Sequence, residues 1–137
     1  MKEKDYYPII ESFFKSKGYL TFIEYRFLRG IIIPDILAID PSLTRVISVE
    51  VKRKGFVKAL YQGFAYLTFS DYVYLAFPEK YAYHVIRKYI RPIKKLGFGI
   101  LALNPNPKVL IKPEPSKYLS EELKQKLLNE LRYRERP

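Results

Sequence analysis

The chain has no cysteine and no tryptophan, a single histidine at His84 and a single methionine. Without thiols there can be no disulfide, zinc finger, Cys-ligated iron–sulfur cluster or thiol nucleophile. One histidine also excludes His-rich metal sites, so any metal must be held by oxygen. No stretch of about 18 uncharged apolar residues is present, and Met1 to Pro8 has neither an apolar segment nor a small-residue cleavage site. A cytoplasmic protein with no membrane partner is expected. Acid is scarce: 14 Asp and Glu face 25 Lys and Arg, for a formal net charge of +11. The chain is nevertheless no disordered basic tail, because 48% of it is hydrophobic and 16% aromatic, enough apolar surface to offset chain entropy. At 137 residues it matches one domain with a single core. Few thermolabile side chains beside many Lys, Ile and Tyr lean towards an archaeal or thermophilic source.

Apolar periodicity predicts a first helix from about Asp5 to Lys17, with Pro8 in its first turn and Gly18 as its stop. Leu20 to Leu28 and Ile31 to Asp40 are β-type runs on either side of an Arg29-Gly30 turn signal and read as a hairpin. Thr44 to Arg53 alternates with period two and adds a third antiparallel strand. A helical segment from Gly55 to Ser70 leads to the nearly all-apolar run Asp71 to Phe77, the pattern of a buried strand reached by a crossover. Pro78 opens a helix to about Leu96, and residues 97–103 form another strand. The expected fold class is α/β, a central mixed sheet flanked by helices, with a core at about residues 5–103. The extension, about 104–137, carries a short strand at Val109 to Ile111 and an amphipathic helix capped by Ser120.

Chemistry-bearing residues occur in a fixed order. Glu11 lies on the first helix, Pro34-Asp35 in the second strand, Glu50-Val51-Lys52 in the third, and Gln62 with Tyr66 on the next helix. Side chains at i and i+2 of a strand share a face, so Glu50 and Lys52 project together, and Val51 contributes its carbonyl at the strand edge. Asp35 sits in an otherwise apolar run, where an unpaired carboxylate costs several kcal/mol and a cation is the simplest remedy. Two carboxylates and a carbonyl form a hard-oxygen set suited to Mg²⁺ or Mn²⁺. Lys52 beside it suits either deprotonation of a water or stabilisation of charge on phosphorus.

This constellation resembles the PD-(D/E)XK nuclease superfamily: Pro34-Asp35, fourteen residues, then Glu50-Val51-Lys52. The resemblance spans roughly Glu11 to Phe77. It implies a restriction-endonuclease-like αβββαβ core and Mg²⁺-dependent hydrolysis of DNA phosphodiesters, whether endonuclease or exonuclease. On that reading Glu11, Asp35, Glu50 and the Val51 carbonyl hold the metal, and Lys52 assists the attacking water. Gln62-Gly63-Phe64-Ala65-Tyr66 resembles the Gln-x-x-x-Tyr motif of RecB-type domains, in which the Gln helps hold the lysine and DNA. CRISPR-associated relatives with that motif carry an iron–sulfur cluster, which this chain cannot ligate. Archaeal Holliday-junction resolvases are similar in size, basicity and core motif. Their basic Arg-Lys-Gly start and Ser-bearing loop between the first two strands are missing here, where that connection reads as Arg29-Gly30.

Between Lys80 and Lys112 there are eight Lys and Arg and no acid. Lys80, His84, Arg87, Arg91 and Lys95 follow one helix face, which suits a track for DNA phosphates bound through counterion release. Arg87, Arg91, Lys95 and Tyr66 are the expected DNA-binding residues; a solvated amphipathic face explains the basic run equally well. Leu123, Leu127 and Leu131 form a stripe that docks on the chain's own core or, alternatively, makes a homodimer. The competing reading of the whole chain is a nuclease-fold DNA-binding or interaction protein with little or no cleavage.

Overall fold

The computed structural model describes residues 1–135. A 3-10 turn at Glu3–Tyr6 runs into α1 (Tyr7–Lys15), with Pro8 in the first turn, where its missing N–H costs no helical hydrogen bond. Gly18 takes φ +91°, a conformation that side-chain-bearing residues resist, and turns the chain into β1 (Leu20–Ile23). β2 (Ile36–Ile39) and β3 (Val46–Val51) follow, then α2 (Phe56–Tyr66), β4 (Tyr72–Pro78), α3 (Glu79–Leu96), β5 (Gly99–Asn104), β6 (Asn106–Ile111) and α4 (Glu121–Glu135). The six strands form one sheet in sequence order, antiparallel at β1/β2, β2/β3 and β5/β6 and parallel at β3/β4 and β4/β5. This is an α/β architecture with a mixed, open sheet and helices on both faces.

Strand alternation divides the core. Ile36, Ala38, Ile47, Val49, Val51, Ala76 and Leu101 pack with Tyr7, Ile10 and Phe14 of α1. Leu37, Ile39, Val46, Leu75, Phe77 and Ile100 face the other way, against α2, α3 and α4. The α4 stripe belongs to this second core: Leu127, Leu128 and Leu131 are fully buried and Leu123 packs against them. Ser120 caps α4, its Oγ accepting the Leu123 N–H at 3.3 Å. Residues 104–135 therefore complete the sheet and the core.

Three sequence expectations change. The run Leu20 to Leu28 stops being a strand at Ile23, and β2 starts only at Ile36, so residues 24–35 form a long loop with a single bridge, Phe27 to Ile32, in place of a tight hairpin. Burial decides this: Tyr25 and Phe27 turn into the core, Phe27 packing 5.0 Å from the Phe69 ring, while Glu24, Leu28 and Arg29 adopt positive φ to let the chain double back. The longer loop still contains no Ser. Second, Pro34 and Asp35 precede β2 and do not lie within it, as a proline with no N–H to offer a ladder would dictate. Third, α3 is not one uninterrupted helix. Tyr89 leaves helical geometry (φ −123°, ψ 23°) three residues before Pro92, whose ring and absent N–H disrupt the preceding turn. The Tyr89 ring stacks on Phe56 of α2 at 4.3 Å, closing the kink onto the core.

Candidate functional site

The carboxyl end of β3 and the entry to antiparallel β2 lie at the same end of the sheet, and there Asp35, Glu50 and Lys52 meet. In parallel-stranded sheets this is the end at which helices and loops leave room for ligands. Asp35 is bound by side chain where the proline-bearing backbone could not pair: its Oδ2 accepts the Val51 N–H at 2.7 Å and its Oδ1 the Tyr7 hydroxyl at 2.7 Å. The Val51 N–H thus points toward Asp35, which turns the carbonyl of the same residue to the same side. Glu50, on the α2 side of β3 and 2% exposed, accepts the Tyr66 hydroxyl through Oε1 at 2.6 Å. Its Oε2 lies 3.8 Å from the Lys52 Nζ, on a side chain 21% exposed. Lys52 stands one residue beyond β3, yet its N–H still bonds the Ala76 carbonyl, so it keeps the strand's alternation and the face of Glu50.

The electrostatics are those of two like charges under one cover. Burial raises the Asp35 carboxyl, against the Val51 N–H, the Tyr7 hydroxyl and the Lys52 charge. Burial and, next, the Asp35 charge push Glu50 up to about 8, against the Tyr66 hydrogen bond and Lys52. Burial, reinforced by the carboxylates they face, holds the Tyr7 and Tyr66 phenols far above their ordinary range, so both act as donors only. Two close carboxyl groups with a lysine alongside make a site in which a proton or a cation relieves repulsion.

Among the described residues no group of three or more His, Asp or Glu is placed to hold a metal ion. Glu11 is therefore not brought together with Asp35 and Glu50; its Oε2 accepts the Thr21 hydroxyl at 2.7 Å, bracing α1 against β1. The Asp35–Glu50 pair and the Val51 carbonyl still suit Mg²⁺ or Mn²⁺, which commonly take one or two carboxylates and fill their shell with water and phosphate oxygens. Gln62 is exposed and does not reach Lys52 or Glu50 with a hydrogen bond. It lines a cleft of about 240 Å³ with Ile31, Ile32, Ile33, Ala65 and Tyr66, one helical turn before the tyrosine that holds Glu50. Arg87, Arg91 and Lys95 are exposed, as are Lys80 and His84, and none of the five forms an ion pair among the described residues.

Tyr7 is the site residue that sequence reasoning missed. It stands four residues before Glu11 on α1, so the face chosen for Glu11 also carried a polar-tipped aromatic, a signal open to a closer reading of helical spacing.

No protein-family model and no curated protein matches the chain. Among solved structures it is similar to the SPO1766 protein of unknown function from Silicibacter pomeroyi, with 13% sequence identity and a TM-score of 0.72 over 98% of this chain and 86% of that one. At that identity the likeness is one of fold.

Proposed function

We propose that this chain is a Mg²⁺- or Mn²⁺-dependent deoxyribonuclease with a restriction-endonuclease-like core and a PD-(D/E)XK site. The observation that carries the reading is the meeting of Asp35, Glu50 and Lys52 at one end of the sheet, with Glu50 buried and Asp35 half-buried, both carboxyl groups raised by burial, Glu50 further by the Asp35 charge, and each held by a tyrosine hydroxyl. A strand Glu-x-Lys that served only as a surface ion pair would have no reason to be buried against a second acid. Asp35, Glu50 and the Val51 carbonyl would hold the metal, which supplies an activated water and charge neutralisation at phosphorus when bound. Tyr7 and Tyr66 fix the two carboxylates in position. Lys52, its Nζ 3.8 Å from Glu50 Oε2, would be the group to take a proton or to offset negative charge at phosphorus. The exposed basic side chains of α3 would supply phosphate contacts and Gln62 would meet DNA at the cleft beside the site, whereas Tyr66, expected to bind DNA, is 2% exposed with its hydroxyl on Glu50 and acts by positioning that carboxylate.

The second reading, a DNA-binding protein with little cleavage, is favoured by the engagement of Glu11 with Thr21, which leaves the site one acid short of the fullest family pattern. Cleavage of linear duplex, single strand, flap, circle and four-way junction with Mg²⁺, Mn²⁺ or EDTA, beside a mobility shift, separates the two. The nuclease reading expects metal-dependent products that vanish in Asp35→Asn and Glu50→Gln. It expects turnover at least about 10²-fold lower in Lys52→Ala with the fold intact. Binding without products in every metal would establish the second reading, and neither binding nor products would overturn both.

A further inference from the structure

At the opposite end of the parallel strands lies a second cleft, of about 360 Å³, lined by Phe13, Tyr19, Tyr72, Tyr74, Ile47 and Val109 and ringed by Lys17, Arg45 and Lys112. It exists because α1 is short. The helix packs against β1, β2 and β6 but leaves Tyr72 and Tyr74 of β4 and Val109 of β6 only half-buried on the same face of the sheet. The rings are fixed from behind by one buried residue: Phe14 packs edge-on against Phe13 at 5.1 Å, Tyr74 at 5.8 Å and Tyr19 at 6.1 Å. The cations are exposed and already borne on rings, the Arg45 guanidinium 5.6 Å from the Tyr72 centroid and the Lys17 Nζ 4.7 Å from that of Phe13. Among the described residues no carboxylate lines the cleft. Asp40, the acid whose charge acts on Arg45, already accepts hydrogen bonds from Ser42, Thr44 and the Thr44 and Arg45 N–H groups.

We infer that this cleft binds a nucleotide unit, its base between the tyrosine rings and its phosphate on Arg45, Lys112 and Lys17. The volume sits at the small end of ordinary ligand pockets, roughly 300–1,000 Å³, and admits one such unit. Preorganised rings favour a planar aromatic group, and three cations without an acid favour an anion attached to it. The unit can come from a free nucleotide or from the end of a strand. The site is independent of the nuclease reading, since it shares no residue with Asp35, Glu50 or Lys52.

Calorimetric titration in EDTA of the Glu50→Gln protein, which removes binding through a metal at the first site, tests this with AMP, adenosine, ribose 5-phosphate, inorganic phosphate and a 5′-phosphorylated dinucleotide. AMP is expected to saturate one site, with adenosine and ribose 5-phosphate each at least about tenfold weaker. Arg45→Gln, Lys112→Gln and the ring-removing but still apolar Tyr72→Leu should each weaken AMP by about tenfold; the first two replace exposed side chains and should leave the melting temperature unchanged. A dinucleotide that binds more tightly than AMP assigns the unit to a strand end, and AMP as the tighter ligand assigns it to a free nucleotide. Equal binding of phosphate and AMP, equal binding of adenosine and AMP, indifference of AMP binding to Arg45→Gln and Tyr72→Leu, or no saturable binding would each overturn the inference.

Discussion

Glu50 is almost fully buried, faces a second carboxyl and is raised from 4.5 to about 8 by burial and by the Asp35 charge. Between those two values the folded state holds a proton that the unfolded chain releases, so the contribution of Glu50 to stability is greatest below about pH 4.5 and is lost as pH rises toward 8. The metal-free protein should accordingly melt at steadily lower temperature from pH 5 to pH 8, losing about 1.4 kcal/mol per pH unit at the steepest. Glu50→Gln, which keeps an acceptor for Tyr66 and carries no charge, should flatten that profile. A flat wild-type profile in EDTA would remove the strained pair. Asp40 acts in the opposite sense outside this window: burial raises it, but hydrogen bonds from Ser42, Thr44 and two backbone N–H groups hold it below the usual carboxylate range. Its contribution is therefore lost only in acid.

Gln62 tests the cleft from the other side. It is exposed and lines the hollow beside Tyr66, so Gln62→Leu should leave the melting temperature unchanged while lowering the cleavage rate tenfold to a hundredfold, about 1.4 to 2.7 kcal/mol on the barrier. Wild-type rates would withdraw the Gln-x-x-x-Tyr likeness and leave Asp35, Glu50 and Lys52 untouched.

Among the elements, α3 combines a structural and an electrostatic role. Its buried side, Ala82, Val85 and Ile93, packs on the sheet, and the break at Tyr89 bends it where Pro92 removes a hydrogen bond. Arg87 precedes that break, and Arg91 and Lys95 follow it, so the basic residues follow a bent track where sequence spacing implied a straight stripe. Replacing all three by Ala should weaken DNA binding about equally for unrelated sequences. It should also reduce the slope of log K against log salt by as much as about 2.7, at about 0.9 per lost phosphate contact. An unchanged slope would assign this face to solvent.

On the scale of the molecule, the two cores meet at the sheet, and α4 closes the second of them from the far end of the chain. Leu128 is fully buried with Leu127 and Leu131 among residues of β4, β5, α2 and α3, so Leu128→Ala should cost about 2 to 5 kcal/mol in denaturant unfolding. A loss under about 0.5 kcal/mol would mean that α4 is a peripheral addition. With these leucines committed to the chain's own interior, they are not available as a seam for a second copy. Among the described residues no helix is long and apolar enough to cross a membrane.

Local pattern settled much of this protein before any coordinates. Helical periodicity, strand alternation and near-continuous apolar runs located the six strands and four α-helices of the described residues in order, because a helix writes its one buried side into its spacing and a strand covered on both faces reads as apolar throughout. The parity of Glu50 and Lys52 was equally legible, since a strand admits only two faces. Tertiary structure decided what depends on partners far along the chain. It drew Tyr25 and Phe27 inward and so opened a loop where a hairpin was expected, and it started β2 only after Asp35. It also gave that carboxylate Tyr7, 28 residues away, as its donor. It sent Glu11 to Thr21 instead of to the carboxyl pair and left Gln62 at the rim. A side chain's burial, hydrogen-bond partner and charge state arise from groups that only folding brings within a few ångströms, and no spacing along one element encodes them.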